Sequence, residues 1–154
     1  MADRRPRGVL LAPAAASAES ETVTSGQTTA TLSWTPKGDG VTGAALTITR
    51  AGVEAFNEPI LEIVCDGCTL PGNGADDVKL VDLDGLGEPE VMVVAVKGCC
   101  PTAGIYSYNA GAGSYDQLLF LSIGFNVDDL DHDGRPEIVT QDWWLGLLMS
   151  DVHS

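Results

Sequence analysis

Residues 129–137 read DLDHDGRPE, with carboxylates at the first, third, fifth and ninth positions: Asp129, Asp131, Asp133 and Glu137. Like charges crowded this closely repel unless something positive sits among them. A hard divalent cation such as Ca²⁺ meets that need, because it takes about six to eight oxygens at roughly 2.3–2.6 Å. A tight loop supplies such oxygens from alternate positions. Gly134, at position six, allows a sharp turn through the left-handed region. Arg135, at position seven, offers its backbone carbonyl. The competing reading is a plain turn, since Asp and Gly are common turn residues.

A second copy of the pattern favours the cation. LVDLDGLGEPEVMV at 80–93 aligns with VDDLDHDGRPEIVT at 127–140, an offset of 47 residues (127 against 80). Asp82, Asp84 and Glu90 stand where Asp129, Asp131 and Glu137 stand, and Glu88 takes the carbonyl position. Position five of this copy is Leu86, so one carboxylate is lost and calcium binding is expected to be weaker or absent there.

The first six positions of DLDHDG match an EF-hand loop. The rest does not: position twelve is Thr140, the flanks read as strands, and Pro136 suits the start of a strand rather than a helix interior. The repeated D-x-D-x-D-G-x-x-[DE] followed by an apolar strand instead resembles the FG-GAP/VCBS repeat. That family builds the blades of integrin-α-type β-propellers and occurs in many bacterial secreted proteins. The resemblance covers roughly residues 75–145. VKGCCPTAGIYSYN at 96–109 is also similar to bacterial members. The resemblance implies calcium held between two strands. Its ligands would be Asp129, Asp131, Asp133, the Arg135 carbonyl and Glu137. In the first copy they would be Asp82, Asp84, the Glu88 carbonyl and Glu90. It further implies a non-catalytic binding or scaffold module at or outside the cell surface, in which the ion pins a strand connection.

Elements able to position such loops recur along the chain. TATLSWT (29–35), ALTITRA (45–51), PILEIV (59–64), VKLVDL (78–83), EVMVVAV (90–96), GIYSYN (104–109), QLLFLS (117–122) and EIVTQDWW (137–144) read as strands. Turn clusters separate them, among them PKGDG, PGNGADD and NAGAG. No segment sustains a helical apolar period. The expected fold is all-β: an antiparallel meander, partly propeller-like, with an N-terminal hairpin or small sheet. A 47-residue period suits one propeller blade, and two copies are too few to close a ring. An unclosed array leaves a strand edge, so self-association through that edge is expected.

Residues 1–27 read as a signal-like leader or a disordered tail: a basic start, a short apolar stretch, then Ala/Ser/Thr/Glu. Residues 28–145 form the expected domain and 146–154 a short tail. The formal net charge of −14 disfavours nucleic acid and anionic membranes as partners. No apolar run reaches the ~18 residues of a membrane span, so membrane insertion is not expected. A protein or carbohydrate ligand is the expected partner, and a secreted, periplasmic or cell-surface location is expected.

The four cysteines, Cys65, Cys68, Cys99 and Cys100, favour at least one disulfide from VCDGC to GCC in an exported chain. A cysteine-based zinc or redox module is the alternative. The histidines, His132 and His153, give little material for a catalytic triad. Phosphate-binding and nucleophile-elbow motifs are lacking. An accessory domain of a secreted hydrolase stays a rival, resting on the acids Asp128 and Asp129 and on Trp143 and Trp144.

Overall fold

Every second residue of TTATLSW is small or apolar, and that alternation sets the first sheet. The computed structural model describes residues 17–38, 40–60, 68–71, 77–97, 100–121 and 125–140, with residues 97, 100, 119 and 120 described by backbone alone. In β2 (Thr28–Lys37), Ala30, Leu32 and Trp34 are buried while Thr29, Thr31 and Ser33 stay half-buried on the opposite face. β1 (Glu19–Ser25), β3 (Gly40–Arg50) and β4 (Val53–Pro59) complete an antiparallel meander in the order β1-β2-β3-β4. Its outer face is polar: the Thr22–Thr31 and Thr24–Thr29 hydroxyl pairs each lie 3.0 Å apart.

A second meander follows, β5 (Val78–Val81), β6 (Glu90–Lys97), β7 (Cys100–Asn109) and β8 (Ser114–Leu121), again in chain order. Its strand β6 is covered on both faces, which explains the unbroken apolar run VMVVAV. Val91, Val93 and Ala95 pack with Tyr106 and Tyr115 against Leu32, Trp34, Leu46 and Ile48 of the first sheet. Met92 faces the other way, into a second cluster with Ala103, Ile105 and Leu121. Phe125, Val127 and Ile138 lie over that cluster. They come from β9 (Phe125–Asp128) and β10 (Glu137–Thr140), an antiparallel pair. The result is three β layers with apolar seams between them. Each fully buried Leu, Ile or Val in these seams contributes about 1.5–3 kcal/mol.

The described residues are thus all-β, with antiparallel sheets, no helix and no closed barrel. Three differences from the sequence reading stand out. Residues 19–25, expected to lie in a leader or tail, form β1. The N-terminal hairpin or small sheet is a full four-stranded sheet. The strands β4 and β9 were not anticipated. Of PILEIV only Pro59 and Ile60 are described, and of EIVTQDWW only Glu137–Thr140. Residues 1–16 and 141–154 lie outside the described residues.

Candidate metal centre

Each acidic loop joins the first two strands of its sheet. Residues 82–89 connect β5 to β6, and residues 129–136 connect β9 to β10. In the second loop Asp129, Asp131, Asp133 and Glu137 each offer an oxygen, all within 4.8 Å of one another. Backbone amides shape the loop around these carboxylates. The Leu130 N–H donates to Glu137 Oε2 (2.8 Å) and the Gly134 N–H to Asp129 Oδ2 (3.0 Å). The Asp133 N–H is shared between Asp131 Oδ1 and Asp129 Oδ1, both at 3.1 Å. The Arg135 N–H donates to Asp133 Oδ1 (2.8 Å).

The first loop repeats three of these five bonds. Leu83 N–H donates to Glu90 Oε2 (2.8 Å), Gly87 N–H to Asp82 Oδ2 (3.0 Å), and Leu86 N–H to Asp84 Oδ1 (2.9 Å). Oxygens of Asp82, Asp84 and Glu90 again lie within 4.8 Å of one another. The left-handed positions also coincide. Gly85 and Gly87 have φ of 71° and 83°, and their counterparts His132 and Gly134 have 61° and 90°. The expected ligand carboxylates are therefore brought together in both loops.

The two loops differ in depth and in charge. Leu86, where the second loop has Asp133, is 81% exposed and contributes no oxygen. Yet Glu90 is only 3% exposed, whereas Glu137 is half-buried. Burial pushes the Glu90 carboxyl up from the ordinary carboxylate range. The Leu83 amide opposes that rise and the negative Asp84 adds to it. The Oδ1 atom of Asp82 is buried with no hydrogen-bond partner. A buried acceptor without a donor is costly, and a cation would satisfy it. The clustered carboxylates are all hard oxygen donors, which suits Ca²⁺ or Mg²⁺ rather than a thiophilic metal. Several carboxylates on one loop favour Ca²⁺, because Mg²⁺ keeps most of its waters.

The position-seven side chains do separate work. The Glu88 carboxylate accepts two hydrogen bonds from Arg50, through Nε and Nη2, both at 3.0 Å. Thr28 and Tyr115 donate to the same carboxylate at 2.9 and 3.2 Å. The Arg50 guanidinium also lies 4.5 Å over the Tyr108 ring. Arg135 likewise reaches back to an earlier part of the chain. A Cβ built on Gly85 would fall 2.7 Å from both Cζ and Nε of Arg135, so its guanidinium rests against the first loop. Neither side chain points an oxygen at its own loop, which leaves the backbone carbonyl as the group position seven has to offer. Arg50, Thr28 and Tyr115 were not legible as part of this site. Their separations from Glu88 are 38, 60 and 27 residues, and no local motif joins them.

Other expectations fall differently. His132 is exposed. Cys68 is buried, is not a free thiol, and places Sγ 3.6 Å from Thr102 Oγ1. Cys65, Cys99, Trp143, Trp144 and His153 lie outside the described residues, and Cys100 is described by backbone alone. Asp128 is exposed and lines a cleft of about 790 Å³, with Asp77, Lys79, Met92 and Phe125, between the second sheet and β9. Among the described residues no helix is long and apolar enough to cross a membrane. Compared with protein-family models, curated proteins and solved structures, the chain matches none of them.

Proposed function

We propose that this chain is a non-catalytic calcium-binding repeat domain of the FG-GAP/VCBS kind, acting as a binding or scaffold module outside the cell. The observation that carries the reading is the coincidence of the two loops. Three amide-to-carboxylate bonds and two left-handed residues recur 47 positions apart, around carboxylates already gathered within 4.8 Å. A turn alone does not require that convergence, because it concentrates negative charge at one point.

On this reading the ion has a structural role. Asp129, Asp131, Asp133, Glu137 and the Arg135 carbonyl would hold it in the second loop. Asp82, Asp84, Glu90 and the Glu88 carbonyl would hold it in the first. It neutralises the acids and locks the connection between two strands of each sheet. The repeated sheets then serve as a partial, propeller-like scaffold, presenting loops to a protein or carbohydrate ligand. A disulfide between the Cys68 region and the Cys99–Cys100 stretch would suit an exported domain.

The test is a thermal melt with 1 mM Ca²⁺ and with excess chelator, on the wild type and on Asp131→Ala. For a Kd of about 10⁻⁴ M, typical of extracellular sites, linkage gives about 1.4 kcal/mol of stabilisation at that calcium level. Most of the shift should vanish in Asp131→Ala. A wild type that melts identically in calcium and chelator refutes the reading.

A further inference from the structure

We infer that Arg135 acts as a built-in cation for the first loop and lowers the calcium affinity of that loop. The inference rests on the calcium reading above. Residue 135 belongs to both loops. Its backbone closes the second loop, donating from N–H to Asp133 Oδ1 at 2.8 Å. Its side chain crosses to the first loop, where Cζ and Nε lie 2.7 Å, and Cδ 3.1 Å, from the point a Gly85 Cβ would occupy. Only glycine leaves room there for the guanidinium.

The charges on the first loop make this placement consequential. Its carboxylate set is Asp82, Asp84 and Glu90, one fewer than in the second loop. The carboxylate of Glu88 is already neutralised by Arg50. The buried Asp82 Oδ1 has no donor, so the loop still asks for positive charge. Arg135 supplies one unit from outside the ligand set, on the same loop that a divalent ion would enter. A unit charge roughly 7–10 Å from a divalent ion in a water-like dielectric changes affinity by roughly three- to tenfold. Loop one is thereby tuned by a residue of loop two. The reverse also holds for binding: calcium in the first loop opposes the seating of Arg135.

The experiment is a calorimetric calcium titration of the full chain in low salt. Asp131→Ala removes a carboxylate from the second loop, so that the remaining binding belongs to the first. Adding Arg135→Gln should tighten that remaining site three- to tenfold, and adding Arg135→Lys should leave it near the Asp131→Ala value. Raising the salt to about 0.5 M should shrink the difference, because screening acts on charge and not on packing. Equal affinity with and without Arg135→Gln overturns the inference. So does loss of all binding in Asp131→Ala while the wild type still binds calcium, an outcome that leaves the proposed function standing. A wild type that binds no calcium overturns both.

Discussion

Glu88 and Arg135 occupy the same position in two loops 47 residues apart (135 against 88), carry opposite charges, and each reach back to the preceding part of the fold. Glu88 reaches Arg50 at the end of β3, and Arg135 reaches Gly85 in the first loop. Position seven therefore has two jobs. Its carbonyl is the group the proposed ion would use, and its side chain fastens one layer to the one before it. Successive layers are tied by polar contacts at the loop end, beyond the apolar seams.

The Glu88 tie should fail in acid. Hydrogen bonds from Arg50 hold the Glu88 carboxyl below 4.5 against the opposing effect of burial, and Thr28 and Tyr115 help. A lowered folded pKa means that the contribution is fully present above the unfolded value. It is lost as pH falls through the folded one. Wild type should therefore melt above Glu88→Gln at pH 7, and the two should converge as pH is lowered from 4.5. Melting temperatures across that range check this. A constant gap between the two proteins would show that the carboxylate charge is not what matters.

Tyr106 should be improved by losing its hydroxyl. The side chain is fully buried, packs 5.0 Å from Phe56, and leaves its phenol oxygen without a partner. A buried unsatisfied hydroxyl costs about 1–3 kcal/mol. Tyr106→Phe is expected to stabilise by about 1 kcal/mol, or to raise Tm by roughly 2–4 °C in a chain of this size. Burial also pushes the Tyr106 phenol up to about 12. A raised folded pKa gives stability that is full below the unfolded value near 10 and lost as pH rises towards 12. Alkaline titration followed by tyrosinate absorbance should lose its latest-ionising group in Tyr106→Phe.

The acidic loops were legible because their chemistry is local. Carboxylate spacing, glycine position and the repeat can all be read from nine contiguous residues. The β6 core was legible for the same reason, as an apolar run. β1 was not: in ESETVTS only Val23 packs against the core, and the strand is held by its register with β2 and by threonine pairs. A polar edge strand resembles a linker in composition. β9 was missed because FNVD is too short to show alternation. The Glu88–Arg50–Thr28–Tyr115 network is a tertiary product. Nothing in the spacing of those residues announces it.

His132 carries the strain that Gly85 avoids. Both hold a left-handed backbone at position four, with φ of 61° and 71°. A non-glycine residue there pays about 1 kcal/mol. His132→Gly is expected to raise Tm by a few degrees at most, since glycine also gains freedom in the unfolded chain. Gly85→Ala is expected to lower it, by about 1 kcal/mol from φ alone. It also displaces Arg135. Gly26, at φ 58° with open space around its Cβ position, is the control. A Gly85→Ala cost equal to that of Gly26→Ala would mean that the Arg135 contact contributes nothing to stability.

Leu86→Asp should restore the missing oxygen of the first loop. Leu86 is 81% exposed, so its removal sacrifices little packing. The change places a carboxylate at position five, as Asp133 does in the second loop, where it accepts from the Arg135 amide. In calcium the added ligand is expected to tighten the first site by about tenfold, the effect of roughly 1.4 kcal/mol. In chelator the same carboxylate crowds Asp82, Asp84 and Glu90, so the protein should melt at a lower temperature than wild type. The sign of the stability change must therefore reverse between the two buffers. A plain turn gives no such reversal: the substitution would then shift Tm by the same small amount with and without calcium. Paired melts of Leu86→Asp and wild type thus ask of the first loop, independently of the second, whether its three carboxylates are gathered around an ion.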